Sequence, residues 1–378
     1  MESLARTTEP AGPDGAIEFS GARREHRALA PSITRMVEVA LTGSDALLSG
    51  TLVGALEDRI ARLCGRRRAI GVGSGTDALY FALAALDVKP GDEVLAPDVS
   101  FIATAGAIAR TGARPVFVDI DATGGLDLEK AARRVSERTR AMVYAHLFGS
   151  MGDPAKVEAF AAVHGLHLIE DAAQAFGARY AGRPAGSMGV ISALSFDPMK
   201  VVSAPTTAGA VLTDDDALAA RVRRLRYHGR EQGACVEVGY NSQLSTIAAA
   251  VLAAKLDHHP AWTERRRDIA RAYDAGLRSL PLALPQPDPA VEHVWHKFHL
   301  RTPRRDELAG RLAEMGVPTK VHYPRALHQE PLFSHENQDE DFPLACAYAR
   351  ETLSLPIHAH LSDAEVDRVI RSVVAALD

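Results

Sequence analysis

A carboxylate and a lysine each follow an apolar stretch in the middle of the chain. Residues 166–169 are mostly apolar and lead to Asp171, and residues 190–196 lead to Lys200. Two buried strands that end near an acid and an amine would suit pyridoxal phosphate. The acid keeps the pyridine nitrogen protonated, and the amine forms a Schiff base with the aldehyde. Taken singly, Asp171 could cap a helix and Lys200 could be a solvated surface residue, so the hypothesis depends on further matching parts.

A glycine-containing run, Gly73-Ser74-Gly75-Thr76, separates a predicted strand from a predicted helix. The N–H groups at a helix N-terminus bind phosphate, and glycine lets the backbone approach closely. A dinucleotide fingerprint does not fit, because its third glycine would fall on Thr76, and no Walker lysine follows. On this motif alone, a phosphate site and a ligand-free helix N-terminus are equally supported.

Other polar and aromatic residues lie near the predicted strand ends. Phe101 could stack on a flat ring, although such aromatic residues are more often part of the core. Gln174 lies three residues after Asp171 and could face the same ligand. Ser195 could donate to a phosphate or satisfy the backbone, and Asn241 is by default a helix cap.

Alternating strand and helix patterns must position these residues. Short apolar runs alternate with helical periodicity and are joined by short links, which indicates an α/β fold with a mostly parallel sheet and helices on both faces. We predict a mobile arm at 1–17, a large cofactor-binding domain at 18–250 and a smaller α+β domain at 251–378. The predicted strands of the large domain are 69–72, 93–96, 115–119, 141–147, 166–171, 190–196 and 209–213.

The amino-acid composition limits the classes of partner that this protein is expected to bind. The chain has 378 residues, with 43 Lys plus Arg, 48 Asp plus Glu and a net charge of -5, which does not suggest a nucleic acid or an anionic membrane as partner. Three widely separated cysteines, Cys64, Cys235 and Cys346, predict no disulfide framework, and the 15 histidines show no metal-ligand spacing. Without a signal-peptide pattern or an apolar run near 18 residues, we expect a cytoplasmic protein.

In combination, these motifs resemble the DegT/DnrJ/StrS family of sugar aminotransferases, which are fold-type I enzymes that use pyridoxal phosphate. The likeness extends from about Arg24 to the end of the chain. It rests on the segments 73–79, 90–94, 101–105, 115–121, 146–149, 170–175, 239–242, 321–324 and 353–358.

The resemblance implies a role for each candidate residue. Lys200 would form the Schiff base with the cofactor and then move the proton between cofactor and substrate carbons, and Asp171 would pair with the pyridinium nitrogen. Asn241 would reach the cofactor phosphate of the neighbouring subunit, which implies a homodimer with shared active sites. The remaining cofactor contacts would be Phe101 on one ring face, Gln174 beside the ring hydroxyl, and Gly75, Thr76 and Ser195 at the phosphate.

Two departures from the family pattern affect the expected substrate rather than the cofactor. After the lysine, family members commonly have Asn-Leu and then a glycine-rich stretch, whereas residues 201–208 here read VVSAPTTA. Phe176 stands where many members have histidine, near the cofactor. The candidate substrate contacts are this loop, Arg230, His322 and Tyr323.

We therefore predict transfer of an amino group from an amino acid, with L-glutamate the expected donor, to a keto-sugar. A nucleotide-linked keto-deoxysugar is the favoured acceptor, and Lys200 acts as the base in both half-reactions. The alternatives are a keto-cyclitol acceptor, a sugar dehydratase, and a non-catalytic sensor or scaffold. Dehydratases of the family replace the lysine with histidine, so Lys200 favours transamination. The complete set of cofactor residues argues against a scaffold.

Overall fold

A computed structural model of the protein describes residues 17–43, 48, 50–334 and 338–378. The predicted mobile arm lies outside these residues except for Ile17, which is buried among C-terminal core residues. In the described ranges, no helix is both long enough and apolar enough to cross a bilayer.

Strands and helices alternate along most of the described chain, as predicted. The strands are β1 (Arg68–Val72), β2 (Glu93–Pro97), β3 (Arg114–Val118), β4 (Thr139–Ala145), β5 (His167–Asp171), β6 (Arg179–Tyr180), β7 (Arg183–Pro184), β8 (Ile191–Ser195), β9 (Gly209–Thr213), β10 (Arg230–Glu231), β11 (Ala234–Cys235), β12 (Val291–Glu292), β13 (Phe298–Arg301) and β14 (Thr352–Leu355). The helices are α1 (Ala22–Thr42), α2 (Thr51–Leu63), α3 (Gly75–Ala85), α4 (Ile102–Arg110), α5 (Leu128–Ala132), α6 (Pro154–Val163), α7 (Asp216–Leu225), α8 (Thr246–Leu256), α9 (His259–Leu277), α10 (Arg305–Glu314), α11 (Pro343–Glu351) and α12 (Asp363–Leu377), with short 3-10 helices at Leu327–Gln329 and Asp339–Asp341.

The central sheet has the strand order β1-β9-β8-β5-β4-β2-β3 among the described residues. β9 runs antiparallel to β1 and β8, and the pairs from β8 to β3 are parallel, which confirms the predicted mostly parallel sheet. Asp171 lies opposite Ala145 of β4 and Ala193 of β8. Because adjacent parallel strands end at the same edge, the ends of β5 and β8 bring Asp171 and Ser195 to one side of the sheet.

Helices cover both faces of the sheet. Along β1, Ala69 packs with residues of α2 and α8, whereas Ile70 and Val72 pack with residues of α3. This alternation follows the two-residue period of a strand that is buried on both faces. The helix α3 is buried on nearly every side, packs against β8, β9 and α4, and begins at the sheet edge where Asp171 lies.

A separate apolar cluster forms around α9, α10, α12, β13 and β14. Within it, Tyr273 is fully buried and donates its hydroxyl to the Pro356 carbonyl at 2.7 Å. The helical segment between residues 246 and 277 is divided into α8 and α9, with Pro260 in the first turn of α9, where proline is tolerated. Residue 250, the predicted domain boundary, falls inside α8, and the division into two domains stays a prediction.

Candidate active site

Most of the predicted site residues line one cavity of about 290 Å³ at the carboxyl ends of β5 and β8. A larger cavity, of about 560 Å³, opens between the segments that follow β3 and β4 and residues 282–288, but none of the predicted residues lines it. The predicted residues that line the smaller cavity are Gly75, Thr76, Phe101, Asp171, Gln174, Ser195, Lys200, His322 and Tyr323.

Asp171 is the last residue of β5 and is only 7% exposed. Its Oδ2 accepts a hydrogen bond from Thr104 Oγ1 at 3.0 Å, and its Oδ1 accepts one from the Ala173 N–H at 3.1 Å. Burial raises the pKa of Asp171, and these hydrogen bonds together with the charge of Lys200 oppose the rise. A carboxylate held by two donors has a fixed direction and suits a protonated ring nitrogen.

Glu170 precedes Asp171, so its side chain points to the opposite face of β5. Its buried carboxylate accepts hydrogen bonds from the N–H groups of Gly186 and Met188, both at 2.7 Å, from Ser192 Oγ at 2.8 Å and from His146 Nε2 at 3.0 Å. Burial alone would raise the pKa of Glu170, but these donors lower it overall. The Gly152 N–H donates to His146 Nδ1 at 3.3 Å, so the proton of the neutral imidazole is on Nε2. The ionised Glu170 thus fixes the strand end that carries Asp171.

Lys200 lies in the turn after β8, where its N–H donates to the Asp197 carbonyl at 2.9 Å. Its side chain lines the cavity together with Asp171. Burial lowers the pKa of Lys200, and the carboxylates of Asp171 and Asp197 oppose this shift. A lowered pKa favours the neutral amine, which is the form that attacks a carbonyl.

The N-terminus of α3 forms another wall of the cavity. Ser74 caps the helix by accepting a hydrogen bond from the Asp77 N–H at 3.0 Å, and the N–H groups of Gly75 and Thr76 have no acceptor within the helix. A Cβ atom on Gly75 would lie 2.6 Å from Ser195 Cβ, so only glycine allows β8 to approach this closely. Backbone donors beside a serine hydroxyl form a site suited to a phosphate group.

The cavity is also lined by Tyr323, Gln174 and Phe101. The Gln174 amide is fixed at both ends, because its Nε2 donates to the Tyr323 hydroxyl at 2.9 Å and its Oε1 accepts from the Phe148 N–H at 3.0 Å. Burial raises the pKa of Tyr323, which keeps its phenol protonated. The Phe101 ring lies 6.0 Å from the Tyr323 ring and is half exposed at the cavity mouth. His322 bonds to Ser354 Oγ at 2.9 Å through Nδ1.

A cavity that combines a buried carboxylate, a lysine and a phosphate-type helix terminus is what the family resemblance implies. The sequence model of the DegT/DnrJ/EryC1/StrS aminotransferase family matches residues 29–374. The chain belongs to this family.

Individual relatives agree with this assignment. The dTDP-3-amino-3,4,6-trideoxy-alpha-D-glucose transaminase of Streptomyces venezuelae is 42% identical over 337 residues, which cover 87% of this chain and 88% of that protein. A protein of Geobacillus stearothermophilus called pleiotropic regulatory protein is 39% identical over 355 residues, covering 92% of this chain and 95% of the relative. The crystal structure of S. venezuelae DesV in complex with a ketimine intermediate superposes with a TM-score of 0.93 at 38% identity, covering 96% of this chain and 99% of that chain. The predicted family, fold class and enzyme class, a transaminase, are confirmed.

Two of the predicted site residues do not line the cavity of their own chain. Arg230 is exposed at the start of the β10–β11 hairpin, where its guanidinium lies 5.7 Å from the Tyr227 ring. Asn241 is also exposed and forms an isolated β-bridge with Tyr227. Asn241 therefore needs a second subunit to act as the family resemblance implies. Its role and the substrate contact of Arg230 stay predictions.

Several residues of the site were not predicted from the sequence. Thr104 does not line the cavity but directs Asp171, and its place within the family motif 101–105, as the third residue of α4, could have marked it. His296, Lys297 and Lys320 lie near β13 or in the segment after α10, and no local pattern sets them apart. They line the cavity because the C-terminal cluster packs against the end of the sheet.

Most residues of the unusual 201–208 loop are buried. Its last two residues, Thr207 and Ala208, line the cavity. Lys255 Nζ anchors it by donating to Ser203 O at 2.7 Å and Ser203 Oγ at 3.1 Å. Phe176 is buried against the Phe196 ring at 5.6 Å and does not line the cavity, and the expected proximity of this position to the cofactor stays a prediction.

Among the described residues, one group that the sequence did not indicate brings potential metal-ligand atoms within 4.8 Å of one another: His328, Asp339 and Cys346. His328 Nδ1 lies 2.5 Å from Asp98 Oδ2, and its Nε2 lies 2.8 Å from Asp339 Oδ1. Both ring nitrogens are thus at direct hydrogen-bond distance from carboxylates. The contact between His328 and Asp98 joins the segment around residue 328 to the loop after β2, and hydrogen bonding accounts for the geometry of the group.

Proposed function

We propose that this aminotransferase moves an amino group from L-glutamate to a nucleotide-linked keto-deoxysugar. The observation that carries the proposal is that Lys200 and Asp171 line the same cavity as the free N-terminus of α3. Those are the three partners that the aldehyde, the ring nitrogen and the phosphate of pyridoxal phosphate require. The similarity to the S. venezuelae dTDP-aminosugar transaminase supports a nucleotide-linked acceptor.

Pyridoxal phosphate is the cofactor; when bound, it supplies an aldehyde for Schiff-base formation and a ring that withdraws electrons from the reacting carbon. Asp171 would hold the ring nitrogen protonated, with Thr104 and Ala173 fixing its carboxylate. Gly75, Thr76 and Ser195 would hold the phosphate. Lys200 would bind the cofactor aldehyde and carry the proton, for which its lowered pKa is suited.

The spectrum of the purified protein loaded with cofactor tests this function. We expect a visible band from the Lys200 Schiff base, which L-glutamate should bleach and a dTDP-linked keto-deoxysugar should then restore. A keto-cyclitol that restores the band while the sugar does not would identify the alternative acceptor. A band that survives a panel of amino donors would contradict transamination.

A non-catalytic role is the second candidate, because one relative is called a pleiotropic regulatory protein. The two functions differ in what they demand of the cavity. A protein that only senses a ligand has no need of a proton carrier, whereas this cavity contains Lys200 with a pKa lowered by burial. This observation favours the enzyme.

We also infer a homodimer, located in the cytoplasm. Apolar side chains on and beside the β10–β11 hairpin support an interface, since Val238 is 82% and Val236 is 54% exposed. The three cysteines are unpaired, which suits a reducing compartment.

Mixing two inactive variants should test whether subunits share their active sites. Lys200→Ala inactivates the site of its own chain, and Asn241→Asp should weaken the phosphate site of the neighbouring chain. In a mixed dimer, one of the two sites then combines an intact Lys200 with an intact Asn241. Random exchange of equal amounts makes about half of the dimers mixed, so we expect the mixture to reach about a quarter of the activity of the same amount of wild type. No recovery, with mixed dimers verified by differential tags, would contradict sharing through Asn241.

A further inference from the structure

Lys297 is a buried ammonium group in the active-site cavity. It is 7% exposed, and its side chain has no hydrogen bond or ion pair with any residue in the described part of the chain. Its backbone N–H is held by the Phe148 carbonyl at 3.1 Å, which fixes where the side chain starts. Lysine is almost never buried this far unless it is paired, because burial disfavours the charged form.

A second ammonium group, that of Lys320, lies on the same aromatic ring. Lys297 Nζ lies 5.3 Å and Lys320 Nζ lies 5.1 Å from the centroid of Phe19. Both distances fall within the range of a cation–π contact. Both ammonium groups therefore contact the same ring, but an aromatic ring has no net charge to neutralise them.

The charges that face Lys297 are mostly positive. Burial is the largest cause that lowers the pKa of Lys297, followed by the charges of Arg266, Lys200 and Lys320. Together they lower this pKa to about 7, against the opposing charge of Asp197. The guanidinium of Arg266 bonds to the carbonyls of Trp295 at 3.1 Å and Ile357 at 2.7 Å, so it has partners of its own.

The neighbouring groups do not compensate this charge. His322 has a pKa lowered to about 3, first by burial, and that of His296 is also lowered by burial, so both rings are neutral. Asp171 is directed by Thr104 and Ala173 and is assigned to the cofactor ring. Asp197 opposes the positive charge at both Lys200 and Lys297. Glu25 lines the adjoining small cavity with these lysines but is paired with Lys255 Nζ at 2.6 Å, so positive charge is in excess here.

We propose that Lys297 and Lys320 form an anion-binding subsite for an oxyanion group of the substrate that reacts at Lys200. The ligand chemistry is a carboxylate or a phosphate, which an ammonium group binds through charge-assisted hydrogen bonds. This inference rests on the proposed function, because that function supplies two anionic substrates. The oxyanion is either a carboxylate of the amino donor or the diphosphate of the sugar nucleotide.

The two half-reactions allow the sources to be separated with Lys297→Met, which keeps the length of the side chain and removes its charge. L-glutamate is titrated against the Schiff-base band in the absence of acceptor, and thymidine diphosphate is titrated by calorimetry. Lys297→Arg tests whether restoring charge restores binding. Lys89→Met removes an exposed lysine outside the cavity and should leave both titrations unchanged.

We expect Lys297→Met to weaken one of the two ligands by about 10- to 100-fold, the effect of losing one hydrogen bond to a charged group, and Lys297→Arg to recover most of it. Weakened L-glutamate assigns the subsite to the donor, and weakened thymidine diphosphate assigns it to the acceptor. Both constants within twofold of wild type, or an arginine variant as impaired as the methionine one, would overturn the subsite. Failure of the wild-type band to respond to any donor would instead contradict the proposed function.

Discussion

Lys200→Ala is expected to lower the rate of amino transfer by at least about 10³-fold. The variant loses the amine that forms the Schiff base and the base that carries the proton, and acid–base catalysis alone contributes about 10²- to 10⁴-fold. The visible band of the bound cofactor should shift, because the variant lacks the lysine that forms the Schiff base. Steady-state transamination and the absorbance spectrum measure the two effects.

The fold should survive this change. Burial lowers the pKa of Lys200, so the folded protein gains little from its charge, and alanine removes a desolvated amine. We expect an unchanged circular dichroism spectrum, and Lys89→Ala should keep full activity. A Lys200→Ala protein that retains more than about a tenth of the wild-type rate would show that another group acts as the base.

Asp171→Asn should lower the rate by about 10²- to 10³-fold, the range observed when one preorganised charge-stabilising group is removed. Asparagine has nearly the same shape and can still accept a hydrogen bond from the Ala173 N–H, but it carries no charge to keep the ring nitrogen protonated. Asp171→Glu keeps the charge but displaces it, so its rate should lie between those of the wild type and of Asp171→Asn. Single-turnover bleaching by L-glutamate isolates the affected step.

The pH dependence provides an independent test of Asp171. Its pKa in the folded protein is raised, mainly by burial, so without cofactor the folded state binds a proton more tightly than the unfolded state. The protonated residue therefore favours folding at acidic pH, and this contribution is lost as the pH rises through the raised pKa. At neutral pH, cofactor-free Asp171→Asn should unfold at the same or a higher temperature than wild type. A lower unfolding temperature would mean that the carboxylate has a structural role.

Local patterns in the sequence were sufficient for the parts of the site that lie at strand ends. The runs before Asp171 and Ser195 predicted two buried strands, and parallel strands end at one edge, so their convergence follows from the fold class. The Gly73–Thr76 run marked the start of α3 because Ser74 is a good N-cap. Short elements were missed, including β6, β7 and β14, because two to four residues carry too little periodicity.

The sequence by itself determined the family, the cofactor chemistry and the choice of Lys200 and Asp171 as candidate residues, since those depend on motifs within single segments. Only the tertiary structure decided which groups surround them: the contact from Thr104, the burial of Lys297 and the ring of Phe19 beside two lysines. Phe19 and Lys320 are some 300 positions apart in the sequence. Hydrophobic periodicity reports which face of one element is buried, but it does not report which distant element covers that face.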